Sequence, residues 1–269
     1  MSRIAAKFEE LQGGGEGALI AFVTAGDPSI DSTPKIAKAL EDAGADMVEL
    51  GLPFSDPIAD GPTIQAAAER ALRSGMNTDV YFAAMKKIRK TVKVPLICLT
   101  YFNPLLRRGV GRFMSDCRGS GIDGVIIPDL PVEEAKEVME EASDNGVDVI
   151  LIAAPTTTEE RMRKIIESTR GFLYLVSLLG VTGARKELSR TLTDTIKRAK
   201  RSAKKEIPIA VGFGISTPEH VHEVISAGAD GAIVGSAIVN LIAKSSGDEG
   251  KMLSGIRGFV GQLKEATRT

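Results

Sequence analysis

Ala43-Gly44-Ala45-Asp46-Met47-Val48 decides the fold, because its pattern returns as Ser120-Gly121-Ile122-Asp123-Gly124-Val125, Asn145-Gly146-Val147-Asp148-Val149-Ile150 and Ala227-Gly228-Ala229-Asp230-Gly231-Ala232. Each phrase closes an amphipathic stretch with Gly, adds one spacer and an Asp, then enters an apolar run. Gly takes up the left-handed conformation that stops a helix. The run after it is too continuously apolar for a strand with one wet face, which is the mark of a parallel sheet covered on both sides.

Extending outward from these phrases gives eight apolar runs: Ala18–Thr24, Met47–Gly51, Pro95–Thr100, Gly124–Asp129, Asp148–Ala153, Phe172–Ser177, Pro208–Phe213 and Gly231–Gly235. Amphipathic helices lie between them, some with a Thr-Pro start, as at Thr33-Pro34 and Thr217-Pro218. Eight strands alternating with helices predict one (β/α)8 TIM barrel over residues 1–269. A doubly wound open sheet fits less well, because no linker interrupts the alternation and no GxGxxG follows the first strand. Before the first strand, Ile4, Phe8 and Leu11 share one face of an extra N-terminal helix.

Composition narrows the function. The 269 residues carry a net charge of −1 with basic residues dispersed, so no basic face suited to nucleic acid is expected. Charges run through the first eleven residues, unlike a secretory signal, and no apolar run reaches membrane-spanning length, which predicts a soluble, cytoplasmic protein. Cys98 and Cys117 fit no metal-ligand spacing and read as reduced thiols. His220 and His222, the two histidines, face different directions on one helix and cannot build a zinc site, so no metal is expected.

A barrel of this type works at the C-terminal ends of its strands. The second strand, Met47-Val48-Glu49-Leu50-Gly51, places a carboxylate where apolar side chains belong. Burial raises the pKa of such a group, which suits a residue that both gives and takes a proton near neutrality; pairing with a cation in a purely structural role is the other reading. The loop that follows, Pro53-Phe54-Ser55-Asp56-Pro57-Ile58-Ala59-Asp60-Gly61-Pro62-Thr63-Ile64-Gln65, is stiff, acidic and partly apolar. Asp60 is its catalytic candidate, and Asp56 serves equally well as a turn-former. Val211-Gly212-Phe213-Gly214-Ile215-Ser216 and Gly235-Ser236 bring backbone N–H groups and a helix N-terminus to adjacent strands, where barrels hold phosphate. Leu179-Gly180-Val181-Thr182-Gly183-Ala184-Arg185 reads as a lid. Phe22, Tyr101, Tyr174 and Phe213 fall at one mouth and suggest a slot for a flat ring. None of the eight runs contains Lys, so Schiff-base chemistry has no anchor there and carboxylates are left to move protons.

With these residues assembled, the chain closely resembles tryptophan synthase α subunits over essentially its whole length. The signature is VELGLPFSDPIADGPTIQ from Val48 to Gln65, supported by Phe22 to Pro28, Gly180 to Gly183, Gly212 to Ser216 and Gly235 to Val239. The resemblance implies retro-aldol cleavage of indole-3-glycerol phosphate to indole and glyceraldehyde 3-phosphate, with Glu49 as general acid/base. Asp60 matches the carboxylate that receives the indole N–H, Tyr174 a residue beside the reacting centre, and Thr182 a lid residue that meets Asp60 on closure. Phosphate contacts map onto Gly183, Phe213, Gly214, Gly235 and Ser236, and the indole pocket onto Phe22, Leu99, Tyr101 and Ile126. It further implies no cofactor in this chain and a β subunit partner that carries pyridoxal phosphate. That partner receives indole through a tunnel in an α2β2 heterotetramer and docks near the loop from Pro53 to Asp60. Other phosphate-binding barrels, indoleglycerol-phosphate synthase or phosphoribosylanthranilate isomerase, want a strand-end Lys or a Cys and Asp pair that these strands lack. A non-catalytic activating subunit would not need both Glu49 and Asp60. A free-standing indole-releasing lyase shares every residue named.

Overall fold

The Asp of the repeated phrase explains how the strands are joined. Asp46 accepts the Leu19 N–H at 2.7 Å, Asp123 that of Leu96 at 2.8 Å and Asp230 that of Ile209 at 2.7 Å. Each carboxylate at the start of one strand thus satisfies an N–H at the start of its neighbour. These groups lie at the end of the ladder, where a buried unpaired donor costs about 1–3 kcal/mol. Lys264 meets Asp46 at 2.9 Å and Arg89 meets Asp123 at 3.0 Å, so the latches themselves are neutralised. The glycines that open the phrases have φ of 97°, 79°, 67° and 100° at Gly44, Gly121, Gly146 and Gly228, the left-handed turn expected of them.

The computed structural model describes residues 1–176, 185–203, 207–212 and 214–268. Its strands are β1 (Ala18–Thr24), β2 (Met47–Gly51), β3 (Leu96–Leu99), β4 (Gly124–Ile126), β5 (Asp148–Ile150), β6 (Ile152–Ala153), β7 (Leu173–Val176), β8 (Ile209–Gly212) and β9 (Gly231–Val234). All are parallel, in the order β5-β4-β3-β2-β1-β9-β8-β7-β6. Where eight strands are expected, nine stand among the described residues, because the fifth run is broken at Leu151. The Thr169 hydroxyl accepts the Leu151 N–H at 2.9 Å and so removes that donor from the ladder. β5 pairs with β4, β6 pairs with β7, and Leu151 joins them covalently, so the two pieces act as one strand that closes an eight-membered barrel.

Alternation along the strands separates two cores. Leu19, Ala21, Val48, Leu50, Cys98, Val125, Val211 and Val234 point outward into the layer shared with the helices. Ala18, Ile20, Met47, Ile97, Ile126, Ile150, Tyr174, Ala210 and Ile233 fill the barrel itself. The predicted extra helix, Arg3–Gly14, begins on Ser2, whose hydroxyl accepts the Ala5 N–H, and ends at Gly15 with φ 70°. Its Ile4, Phe8 and Leu11 belong to the interior cluster, and the Phe8 and Phe172 rings lie 5.7 Å apart. The helix therefore stoppers the N-terminal end of the barrel. Polar chemistry is left to the other end.

Candidate active site

At the C-terminal mouth, one cavity is lined by Phe22 from β1, Glu49 from β2, Leu99 from β3, Tyr174 from β7 and Ile233 from β9, with Asp60, Gly61 and Ile64 from the loop and helix after β2. Gly214, Ile215, Ser216, Gly235 and Ser236 complete it. Glu49 is 1% exposed and inward-facing; its strand neighbours in register are Phe22 and Ile97, both apolar. One of its carboxyl oxygens has no hydrogen-bond partner. Burial, reinforced by the negative charge of Asp60, pushes the Glu49 carboxyl up to about 8. The residue is consequently protonated at neutral pH and close enough to titration to work in both directions.

Asp60 is half-buried, and desolvation raises its carboxyl above the usual range while a hydrogen bond from the Tyr101 hydroxyl pulls the other way. Tyr101 also receives the Ala59 N–H at 3.0 Å, and its ring lies 5.6 Å from that of Phe54. Expected as a pocket wall, it instead ties the loop after β2 to the end of β3. Gln65 donates to the Asp60 carbonyl at 2.8 Å, and Pro62 sets the first turn of the helix Pro62–Arg73. Asp56 is exposed and receives the neighbouring Ser55 hydroxyl, as in a local turn. Ile126 is fully buried among the interior residues, and the cavity lining does not include it. Phe22 and Leu99 do line the cavity.

Glycines on the inward faces make room for the aromatic walls. A Cβ at Gly51 would stand 2.9 Å from the Phe22 ring and one at Gly235 3.1 Å from it. At Gly212 it would stand 2.3 Å from the Tyr174 hydroxyl. Gly212→Ala is therefore expected to destabilise the fold by about 1–3 kcal/mol, because a core without slack must shift to accept the methyl. Tyr174→Phe in the same background should recover part of that loss. Urea denaturation of the single and double variants measures it, and strict additivity would reject the contact as the cause.

The remaining polar end of the cavity is backbone. Gly235 precedes the helix Ser236–Lys244, whose first N–H groups have no intrahelical acceptors, and Gly214 turns with φ 77°. A helix N-terminus presented this way favours an anion. Thr182, Gly183 and Phe213 lie outside the described residues, as does the expected lid from Leu179 to Ala184. Gly61, Ile64, Ile215 and Ser216 fall within the stretches read as functional but are not singled out there; Ile233 is new, and it shares inward parity with Gly231 and Gly235. Among the described residues, no three His, Cys, Asp or Glu side chains gather as metal ligands.

A closed parallel barrel whose mouth holds a buried carboxyl with a raised pKa, a second carboxylate and a helix N-terminus has the layout of a barrel enzyme. The family described as Tryptophan synthase alpha chain matches residues 8–268. The chain belongs to the tryptophan synthase alpha chain family, lyases of tryptophan biosynthesis. It is 51% identical over 249 residues to the tryptophan synthase alpha chain of Methanosarcina barkeri, covering 93% of this chain and 90% of that one. With the alpha chain of Arabidopsis thaliana it shares 42% identity over 259 residues, 96% of this chain and 93% of the relative. The crystal structure of tryptophan synthase subunit alpha from Legionella pneumophila superposes with a TM-score of 0.91 at 35% identity, over 99% of this chain and 98% of that one. A chain of tryptophan synthase from M. tuberculosis gives 0.89 at 32% identity, over 100% and 99%.

Proposed function

We propose that this chain cleaves indole-3-glycerol phosphate to indole and glyceraldehyde 3-phosphate, with Glu49 as the group that moves the protons. The observation that carries this reading is a fully buried carboxyl, raised to about 8, facing a second carboxylate across an apolar cavity. The Glu49 carboxyl protonates the indole carbon that bears the side chain. The resulting carboxylate accepts the proton of the adjacent glycerol hydroxyl, and the carbon–carbon bond breaks to leave indole and an aldehyde. Asp60 takes the indole N–H, where positive charge develops as the ring becomes an indolenine, and stabilises it electrostatically.

Phe22 and Leu99 flank the ring, while Tyr174 stands beside the reacting carbon. Ile126, in the barrel interior, backs the pocket without lining it, and Tyr101 holds the loop that carries Asp60. The phosphate rests on the backbone at Gly214, Gly235 and Ser236. The likeness to the family adds Gly183 and Phe213 to that cradle and Thr182 to the lid. The partner is a β subunit in an α2β2 assembly; it carries pyridoxal phosphate, which this chain does not need for its own step. Ile58, 79% exposed, and Leu106, 50% exposed, offer apolar surface beside the mouth where such a partner would dock. No helix among the described residues is long and apolar enough to cross a membrane, in keeping with a cytoplasmic site of action.

Indole release from indole-3-glycerol phosphate by the purified chain, with and without a β subunit, tests the reading. Turnover that rises on complex formation is the expected outcome. An inactive chain under both conditions would remove the catalytic role, and full activity with no complex would remove the partner.

A further inference from the structure

Behind the active site, a second carboxylate is buried that the proposed reaction does not use. Asp27 follows β1, and its side chain is 1% exposed. Its two oxygens accept from Arg70 Nε at 2.7 Å and Nη2 at 2.8 Å, a bidentate fork. Arg70 lies in the last turn of the helix Pro62–Arg73. At the opposite end, the same helix begins immediately after Asp60 and Gly61; Ile64 lines the cavity, and Ala67 packs with Phe22 and Val239. Around the fork, the Ser74 hydroxyl reaches the Gly26 carbonyl at 3.3 Å and the Thr33 hydroxyl accepts the Gly26 N–H at 2.9 Å.

We propose that the Asp27–Arg70 pair is a positioning device that sets where the helix Pro62–Arg73 stands against β1, and through it the separation of Asp60 from Glu49. β1 is the strand paired with β2, and Phe22 is the register partner of Glu49, so one end of the fork is built onto the strand pair that carries the acid. The other end is built onto the helix that carries Asp60 at its entrance. Apolar packing such as Ala67 against Phe22 holds a helix near a sheet but tolerates sliding and rotation. Two parallel charge-assisted bonds to a planar guanidinium fix both. Burying such a pair gives little net stability, which makes specification of geometry its more economical role. Tyr101 holds the Asp60 loop from the β3 side, so the fork and the phenol restrain Asp60 from two directions.

This inference rests on the reaction proposed above, so wild-type turnover is established first, and failure there removes the reaction and not the fork alone. Arg70→Lys keeps the charge and loses the fork. It is expected to lower kcat about 10- to 100-fold, the cost of displacing a reacting group by up to an ångström, while KM changes by less than about threefold. The alkaline limb of the kcat profile should also move to lower pH, because the Asp60 charge recedes from Glu49. The other titratable groups coupled to Glu49, which are Tyr174 on β7, Cys98 on β3 and Tyr81 on the helix Thr78–Thr91, are untouched by the substitution. A variant that melts earlier but keeps its kcat and its alkaline limb when fully folded would reduce the pair to a structural tie and overturn the proposal. If Arg70→Lys does not fold, Asp27→Asn with Arg70→Gln removes both charges, leaves neither buried alone, and is read the same way.

Discussion

Glu49→Gln is expected to lower kcat for indole release by about 10²- to 10⁴-fold and, at the same time, to make the folded protein more stable in alkaline solution. The two effects share one cause. Folding lifts the carboxyl from its ordinary value of 4.5 to about 8 by burying it in an apolar setting next to Asp60. Between those values the native state holds a proton that the unfolded chain has released, so stability falls as pH rises through this window. Each pH unit there costs ~1.4 kcal/mol, and the penalty is complete above the folded value. Gln cannot ionise and escapes it. The stability gap between variant and wild type, measured by urea denaturation from pH 5 to pH 9, should open steadily and then level off. A gap that is independent of pH would mean that Glu49 is not held protonated by its surroundings, and the acid role would lose its basis.

Asp60→Asn carries the second large effect. Asn retains hydrogen-bonding capacity but not charge, so an interaction that matters chiefly as the indole ring becomes cationic should show itself in kcat. A loss of about 10²- to 10³-fold is expected, in the range found when one preorganised stabilising group is removed, with a much smaller change in KM. The substitution also withdraws the charge that helps to raise Glu49. The alkaline limb of the kcat profile, set by loss of the Glu49 proton near pH 8, should then shift to lower pH. If KM rises while kcat and the limb stay in place, Asp60 binds the ground state only and the electrostatic role fails.

How much of this was written in the chain depends on the range of the interaction. The Gly-x-Asp phrases are local, and they place strand starts correctly because the left-handed Gly that ends a helix and the apolar run that follows it are set by adjacent residues. Glu49 stood out for the same reason: one ionisable residue in a run of five is visible without knowing its neighbours. The break at Leu151 was not visible, since it depends on a hydroxyl 18 residues away at Thr169. Tyr101 was expected in the wall because it follows a strand. Its hydroxyl turns toward Ala59 and Asp60, a choice made by the path of a loop some forty residues earlier. Ile64 and Ser216 line the cavity through the placement of a helix and a turn, which no periodicity encodes.

The stopper at the other end of the barrel has a consequence for how the acid is recharged. With Ile4, Phe8 and Leu11 plugging the interior from below, the described residues close the barrel on the side of Glu49 away from the mouth. A step that gives one proton to carbon and takes one from oxygen leaves the carboxyl as it began, so a sealed well loses nothing. If the proposed reaction holds, no back door for hydrogen ions is needed, and the dead end beneath Glu49 makes each turnover a closed loan between substrate and side chain.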